Sequence, residues 1–323
     1  MIIDGHNDLV LQSWLGNEAR HMDLDAARAA GFTGGFFALY VPSPHGPGPP
    51  PSIPYALPLA NPIPQEEAAR TAEELYDVLC GLPVARATSA DAFREGQIAA
   101  VVHLEGAEAI RPDLSNLERW YDRGLRSIGL VWSRRNAFAE GVPFCFPSSP
   151  DTGPGLSRAG GELVRACNRL GILIDLSHLN EAGFWDVAAI SDRPLVATHS
   201  NAHALCPASR NLTDPQLDAI RDSGGVVGVN FAVTFLREDG ALLPAETSLA
   251  EIVRHVDHMV ERMGIDHVAF GSDFDGAEVP TELRGIGDFP KVVAALAAAG
   301  YDESALAKIS HANWLRVFRA TWL

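Results

Sequence analysis

Eight short apolar runs, separated by segments of helical pattern, constrain the fold of this 323-residue chain more than any other feature. They cover residues 1–8, 35–41, 99–105, 125–132, 171–178, 194–199, 225–231 and 268–273. Each is long enough for a strand and too short for a helix of ordinary length. Between them, residues 248–264 show the clearest helical spacing, with Leu249, Ile252, Val253, Val256, Met259, Val260 and Met263 on one stripe and Gly264 as a stop. Further helical patterns occupy 64–82, 114–123, 155–170, 214–223, 289–299 and 303–322. Repeated strand–helix alternation predicts a closed parallel (β/α)8 TIM barrel forming a single domain over residues 1–323. Such barrels carry their chemistry at the C-terminal ends of the strands.

Five of the runs end in side chains suited to that chemistry. The first delivers His6 and Asp8 at alternate positions, which in a strand share one face and can reach one metal ion together. Later runs end in Glu105, His178, His199 and Asp273. Taken singly, a histidine at a strand end is more often a satisfied structural residue, and an aspartate there often caps the next helix. The conjunction of five ligand-type residues at strand ends, His6, Asp8, Glu105, His178 and His199, carries the weight. Together they can coordinate two divalent ions if Glu105 bridges them, and paired ions would pull the pKa of a shared water toward neutrality.

Charge narrows the partners. With 41 acidic and 25 basic residues the formal net charge is −16, a field that repels nucleic acid and anionic membrane surfaces. No apolar stretch approaches the ~20 residues that span a bilayer. The opening residues run directly into the first strand, so a cytoplasmic location is expected, and Cys80, Cys145, Cys167 and Cys206 show no paired spacing. One segment breaks the alternation. Prolines recur from Pro42 to Pro64 at a density that excludes helix and strand, and this predicts a stiff loop over the barrel mouth rather than a plain linker.

Several motifs resemble the membrane (renal) dipeptidases, peptidase family M19 of the amidohydrolase superfamily. Asp4-Gly5-His6-Asn7-Asp8, Glu105-Gly106, Leu176-Ser177-His178, Thr198-His199-Ser200-Asn201-Ala202-His203, Ser209-Arg210-Asn211, Gly271-Ser272-Asp273-Phe274-Asp275-Gly276 and Asn313-Trp314-Leu315-Arg316-Val317-Phe318 carry the resemblance across nearly the whole chain. It implies a binuclear zinc dipeptidase with a metal-bridging hydroxide as nucleophile. His6 and Asp8 would hold one zinc ion, His178 and His199 the other, and Glu105 would bridge them. Asp273 would shuttle the proton to the leaving amine, and Arg210 would hold the carboxylate of the substrate's C-terminus. The implied substrates are small dipeptides, including those with a C-terminal D-residue, and the resemblance admits a homodimer.

The chain also departs from the family pattern. Animal members carry a histidine in a Leu-Thr-His context after strand four, where this chain reads Leu130-Val131-Trp132-Ser133. Trp132 is therefore expected beside the substrate. After the bridging glutamate the usual Gly-Gly-His becomes Gly106-Ala107-Glu108. Of the neighbours, His203 is expected to be structural, His103 to support the metals from below, and Asp275 to set loop geometry. Arg134, Arg135 and Asn136 divide evenly between substrate contact and plain surface. The alternative reaction is hydrolysis of N-acyl amino acids or related small amides on the same metals. A requirement for a free α-amino group separates the two.

Overall fold

The computed structural model describes residues 1–43 and 52–323. The eight runs become eight strands: β1 (Ile2–Asn7), β2 (Phe32–Tyr40), β3 (Ala99–Glu105), β4 (Leu125–Gly129), β5 (Leu173–Asp175), β6 (Val196–Ser200), β7 (Val226–Val229) and β8 (Val268–Phe270). Each pairs in parallel with its neighbours in sequence, and β8 pairs with β1. Closure removes the edges that an open sheet would leave unpaired. The fold is a (β/α)8 barrel, as the alternation predicts.

Three strands stop three residues before their apolar runs do. β4 ends at Gly129, β5 at Asp175 and β8 at Phe270, so Trp132, His178 and Asp273 stand on loops just beyond the ladder. His178 (φ +65°) and Asp273 (φ +61°) both adopt the left-handed region, uncommon for residues with a Cβ. Leaving the ladder with this twist turns each side chain into the barrel mouth.

The predicted helices form at Gln65–Gly81, Leu117–Asp122, Arg158–Leu170, Asp214–Asp222, Leu249–Met263 and Phe289–Ala298. Unanticipated from the sequence are the short helices Leu9–Trp14, Leu24–Ala29 and Val233–Leu236, and the longer Glu181–Ile190. For that last helix the reason is visible. Its Phe184 and Val187 are buried but Trp185 is exposed, so no clean apolar stripe marks it. The expected terminal helix is interrupted by a wide turn at Lys308–Ala312. Beyond it, the Asn313 amide donates to the carbonyls of Ile265 and Val268, both at 2.8 Å, and the Trp314 indole donates to Phe270 O at 3.1 Å. Trp314, Phe318 and Trp322 then seal the barrel floor against Ile3, Phe36, Val101, Val196 and Val226. Residues 44–51 of the proline-rich segment lie outside the described residues. Past them, Tyr55–Ala56 pairs with Cys145–Phe146, tying this segment to the loop after β4.

Inside the barrel, three glycines, on β1, on β7 and just past the end of β8, meet one carbonyl. A Cβ on Gly5, Gly228 or Gly271 would lie 2.1, 2.0 and 2.0 Å from Thr198 O. The missing side chains let β6 approach β1, β7 and β8 closely, and the His6 and His199 rings consequently sit with centroids 3.9 Å apart. Gly228→Ala must therefore displace backbone and not merely a flexible side chain. Overpacking of this kind should cost about 1–3 kcal/mol, seen as a lower thermal midpoint with retained far-UV circular dichroism. An unchanged midpoint would show that the strands part freely at this level.

Candidate active site

Each functional side chain is set by the strand beneath it. On β1, Asp4 accepts from the amide and the hydroxyl of Ser272, both at 2.6 Å, and this latch ties the first strand to the last. Burial pushes the Asp4 carboxyl up to about 6, against the lowering effect of those bonds. Two and four residues on, β1 presents His6 and the loop presents Asp8. β3 carries His103 and then Glu105 on the same face. His103 Nδ1 lies 3.0 Å from Ser127 Oγ, and its ring stands edge-on to His6. Burial drives His103 down to about 4, so it is neutral.

Glu105 is the hub. Its Oε2 lies 3.7 Å from His6 Nε2, while its Oε1 lies 3.2 Å from His178 Nε2 and 3.6 Å from His199 Nε2. Asp8 Oδ2 is 3.3 Å from His6 Nε2, and the Nε2 atoms of His178 and His199 are 3.2 Å apart. Asp273 also approaches His6 and Asp8. All six side chains predicted for the metal and proton chemistry are thus brought together.

Hydroxyls fix the rings from behind. Ser133 Oγ lies 2.9 Å from His178 Nδ1, and Thr198 Oγ1 lies 2.8 Å from His199 Nδ1. The Thr198 hydroxyl donates to Asp175 Oδ2 at 2.7 Å. A hydroxyl has one proton to give, so toward His199 it must accept from Nδ1–H, which leaves Nε2 as a bare lone pair. Asp175 is itself held by the amides of Ser177 and Thr198.

Burial dominates the electrostatics. It holds His178 and His199 well below the usual histidine range, reinforced by Arg210 and His6. Burial also opposes charge on His6, but the facing carboxylates Glu105 and Asp8 overcome it and carry this ring up to about 10. Glu105 is pushed up to about 8 by burial, despite His6 beside it, and Asp273 is raised for the same reason. With the protein's own charges alone, the cluster is short of positive charge.

A divalent cation fits that demand. Both ring nitrogens of His6 are buried with no hydrogen-bond partner. The 3.2–3.7 Å separations among the Nε2 and carboxylate atoms are close to the edges of a tetrahedron with bonds of about 2.0–2.2 Å. The donor set, imidazole nitrogen and carboxylate oxygen, suits zinc and its neighbours.

Arg210 lies behind this wall. Its Nη1 donates to Ser200 Oγ at 3.0 Å and its Nη2 to His199 O at 3.1 Å, while Nε has no partner. Burial lowers it to about 10, with Asp273 the main opposing charge. Among the described residues, no carboxylate lies within ion-pair distance of it. A buried guanidinium without a counterion is set up for an arriving anion. The amide of Asn230 donates to Asp273 Oδ2 at 2.9 Å and steadies that carboxylate.

Above the cluster opens a cavity of about 350 Å³. The loops of β1 and β8 line it with Asp8, Asp273, Asp275 and Glu278, and the other loops line it with Tyr55, Leu57, Trp132, Phe144 and Phe235. Trp132 lines it with its ring 5.7 Å from that of His178. Asp275 accepts the amides of Arg20, His21 and Met22, a loop-setting role. His203 points away, to Ser148 O at 2.9 Å. Arg134 is neither substrate contact nor surface. It is fully buried, with Nε 2.7 Å from Glu108 Oε1. Arg135 is exposed against Glu140, and Asn136 closes a turn through Leu130 O. Reasoning from sequence missed the parts played by Ser133, Thr198 and Asn230. Only the adjacency of Thr198 to His199 gave a signal.

A parallel barrel with a buried imidazole–carboxylate cluster at its C-terminal mouth defines a metal-dependent hydrolase. The chain belongs to the membrane dipeptidase family, peptidase family M19, whose model matches residues 1–322. It is similar to a metallo peptidase from Rhodobacter sphaeroides solved with a phosphinate mimic of the dipeptide L-Ala-D-Ala. The identity is 45% and the TM-score 0.95, over 99% of each chain. An uncharacterized protein in the pqqA 5′ region of Klebsiella pneumoniae is 52% identical over 230 residues, 71% of this chain and 84% of that one. An uncharacterized protein in the PQQ-III 3′ region of Acinetobacter calcoaceticus is 39% identical over 294 residues, 81% of this chain and 90% of that one. This protein is a metallo-dipeptidase of that family. Among the described residues, no helix is long and apolar enough to cross a membrane.

The hydroxyl behind His199 gives a test of ring positioning. Thr198→Val keeps the shape but removes the acceptor for Nδ1–H, and should weaken zinc binding about 10–100-fold in competition with a chromophoric chelator. Thr198→Ser should restore most of it. Equal affinity in all three proteins would reduce Thr198 to a packing residue.

Proposed function

We propose that this metallo-dipeptidase works with two divalent ions, zinc by the chemistry of its donors, and cleaves the peptide bond of dipeptides, those with a C-terminal D-residue included. The observation that carries the reading is the splitting of Glu105, one oxygen toward His6 and the other toward His178 and His199. His6 with Asp8 would hold one ion and His178 with His199 the other, Glu105 serving both. When bound, the ions would supply a bridging water acidic enough to attack at neutral pH and a Lewis acid for the scissile carbonyl. The rest falls to the chain's own residues. Asp273, beside His6 and Asp8 and steadied by Asn230, takes a proton from the attacking water and passes it to the leaving amine. Arg210 receives the C-terminal carboxylate.

Two further features support a dipeptide over an N-acyl amino acid. The acidic lining from the β1 and β8 loops suits a free α-ammonium group, which an acylated amine lacks. The Rhodobacter sphaeroides relative was solved with a mimic of L-Ala-D-Ala, which extends the expected range to C-terminal D-residues.

Elemental analysis of metal-replete protein should find about two zinc ions per chain, and Glu105→Ala should lose more metal than Asp8→Ala because it serves both ions. A reproducible value near one, with full dipeptidase activity, would overturn the binuclear reading. Asp273→Asn should retain both ions and lower kcat by roughly 10²–10⁴-fold. Near-normal turnover would remove Asp273 from proton transfer.

A further inference from the structure

The cavity carries two chemistries, acidic groups on some of its loops and aromatic rings on others. Acidic groups come from the loops of β1 and β8. Across the mouth, Trp132 follows β4 and Phe144 lies in the loop before β5, while Phe235 follows β7, beside the β8 loop, where Val233 N–H donates to Glu278 O. These three rings form one wall. Phe144 stacks on Phe235 with centroids 6.1 Å apart and a 13° tilt, and meets Trp132 edge-on at 5.6 Å. The wall stands over the His178–Arg210 side. Trp132 and Phe144 lie 5.7 and 6.2 Å from the His178 ring, and the Arg210 guanidinium lies 5.9 Å from the Phe235 ring.

We propose that Phe144 and Phe235, with Trp132, form the subsite for the side chain of the substrate's C-terminal residue and select dipeptides whose C-terminal residue is apolar. This rests on the reading that Arg210 holds the C-terminal carboxylate, because the residue nearest Arg210 then meets the aromatic wall. The wall offers no charge to pair with, so a lysine or aspartate at this position would be desolvated without compensation. A leucine or phenylalanine would bury its apolar surface there. The N-terminal residue, lying toward the acidic loops, meets a mixed surface and is selected mainly by its ammonium group.

The test is a kcat/KM series on zinc-loaded enzyme with Ala-Ala, Ala-Leu, Ala-Phe, Ala-Asp and Ala-Lys, in both L and D forms at the C-terminal position, and with the reversed pairs Leu-Ala, Asp-Ala and Lys-Ala. Ala-Leu and Ala-Phe should exceed Ala-Asp and Ala-Lys by about 10-fold or more, with a smaller spread among the reversed pairs. Phe144→Ala and Phe235→Ala should each shrink the Ala-Leu to Ala-Ala ratio, chiefly through KM for Ala-Leu. Phe144→Leu serves the same comparison if the alanine variant fails to fold. Equal rates on charged and apolar C-terminal residues, a preference that follows the N-terminal residue, or a ratio unmoved in the variants would overturn the subsite. A metal-replete enzyme that cleaves none of these dipeptides would instead overturn the dipeptidase reading on which it rests.

Discussion

The convergence of Gly5, Gly228 and Gly271 on the carbonyl of Thr198 is the constraint from which the site follows. A barrel filled with branched side chains at this level would hold β6 away from β1, and His6 and His199 would face separate spaces. Without side chains there, the strands close until the two imidazoles are in ring contact. The same residue that receives the glycines also aims a ligand. Thr198 gives its carbonyl to the close contact and its hydroxyl to the chain running from Asp175 to His199. Below, the packed tryptophan and phenylalanine floor takes over the role that interior side chains play in a filled barrel.

Packing this tight brings charges where water cannot screen them. Two imidazoles held neutral and carboxylates pushed toward protonation describe a cluster whose members oppose one another's ionisation. Only His6 runs the other way, kept cationic by Glu105 and Asp8. A proton and a divalent ion compete for the same lone pair on His6 and the same carboxylates, so metal affinity should fall as pH falls below about 10, where His6 takes its proton in the metal-free protein. The arrangement is costly for an isolated protein and consistent with a fold that includes its ions.

The closed barrel was legible in the sequence because the strand runs are mostly apolar, as strands buried on both faces must be, and because five of the eight end in polar side chains that an ordinary strand would not place there. His6, Asp8, Glu105, His178, His199 and Asp273 all announced themselves this way. Ends of elements were less visible. Nothing in Ile174-Asp175-Leu176-Ser177-His178 tells where the ladder stops, because pairing depends on neighbouring strands and the left-handed turn at His178 has no glycine to mark it. Partners remote in sequence were invisible for a similar reason. Asn230 meets Asp273 across 43 positions, Ser133 meets His178 across 45, and the glycines reveal their purpose only once the barrel has closed.

Arg134 shows how a misread residue can still bear on function. Sequence position left it divided between substrate and surface, yet its guanidinium is buried and spent on Glu108, the carbonyl of Val41 and the hydroxyl of Ser43. Its plane lies 5.3 and 5.5 Å from the rings of Tyr40 and Trp132, both of which line the cavity. Glu108 and Trp132 are the two positions at which the sequence was expected to depart from the family resemblance. The two departures are therefore physically connected through Arg134, which neutralises one and packs behind the other. An indole cannot become cationic as an imidazole can, so Trp132 presents the cavity with a stiff apolar surface and not a titratable contact. With its backing fixed by a buried ion pair, that surface has little freedom to yield to a charged side chain, and selection there must act through shape and desolvation.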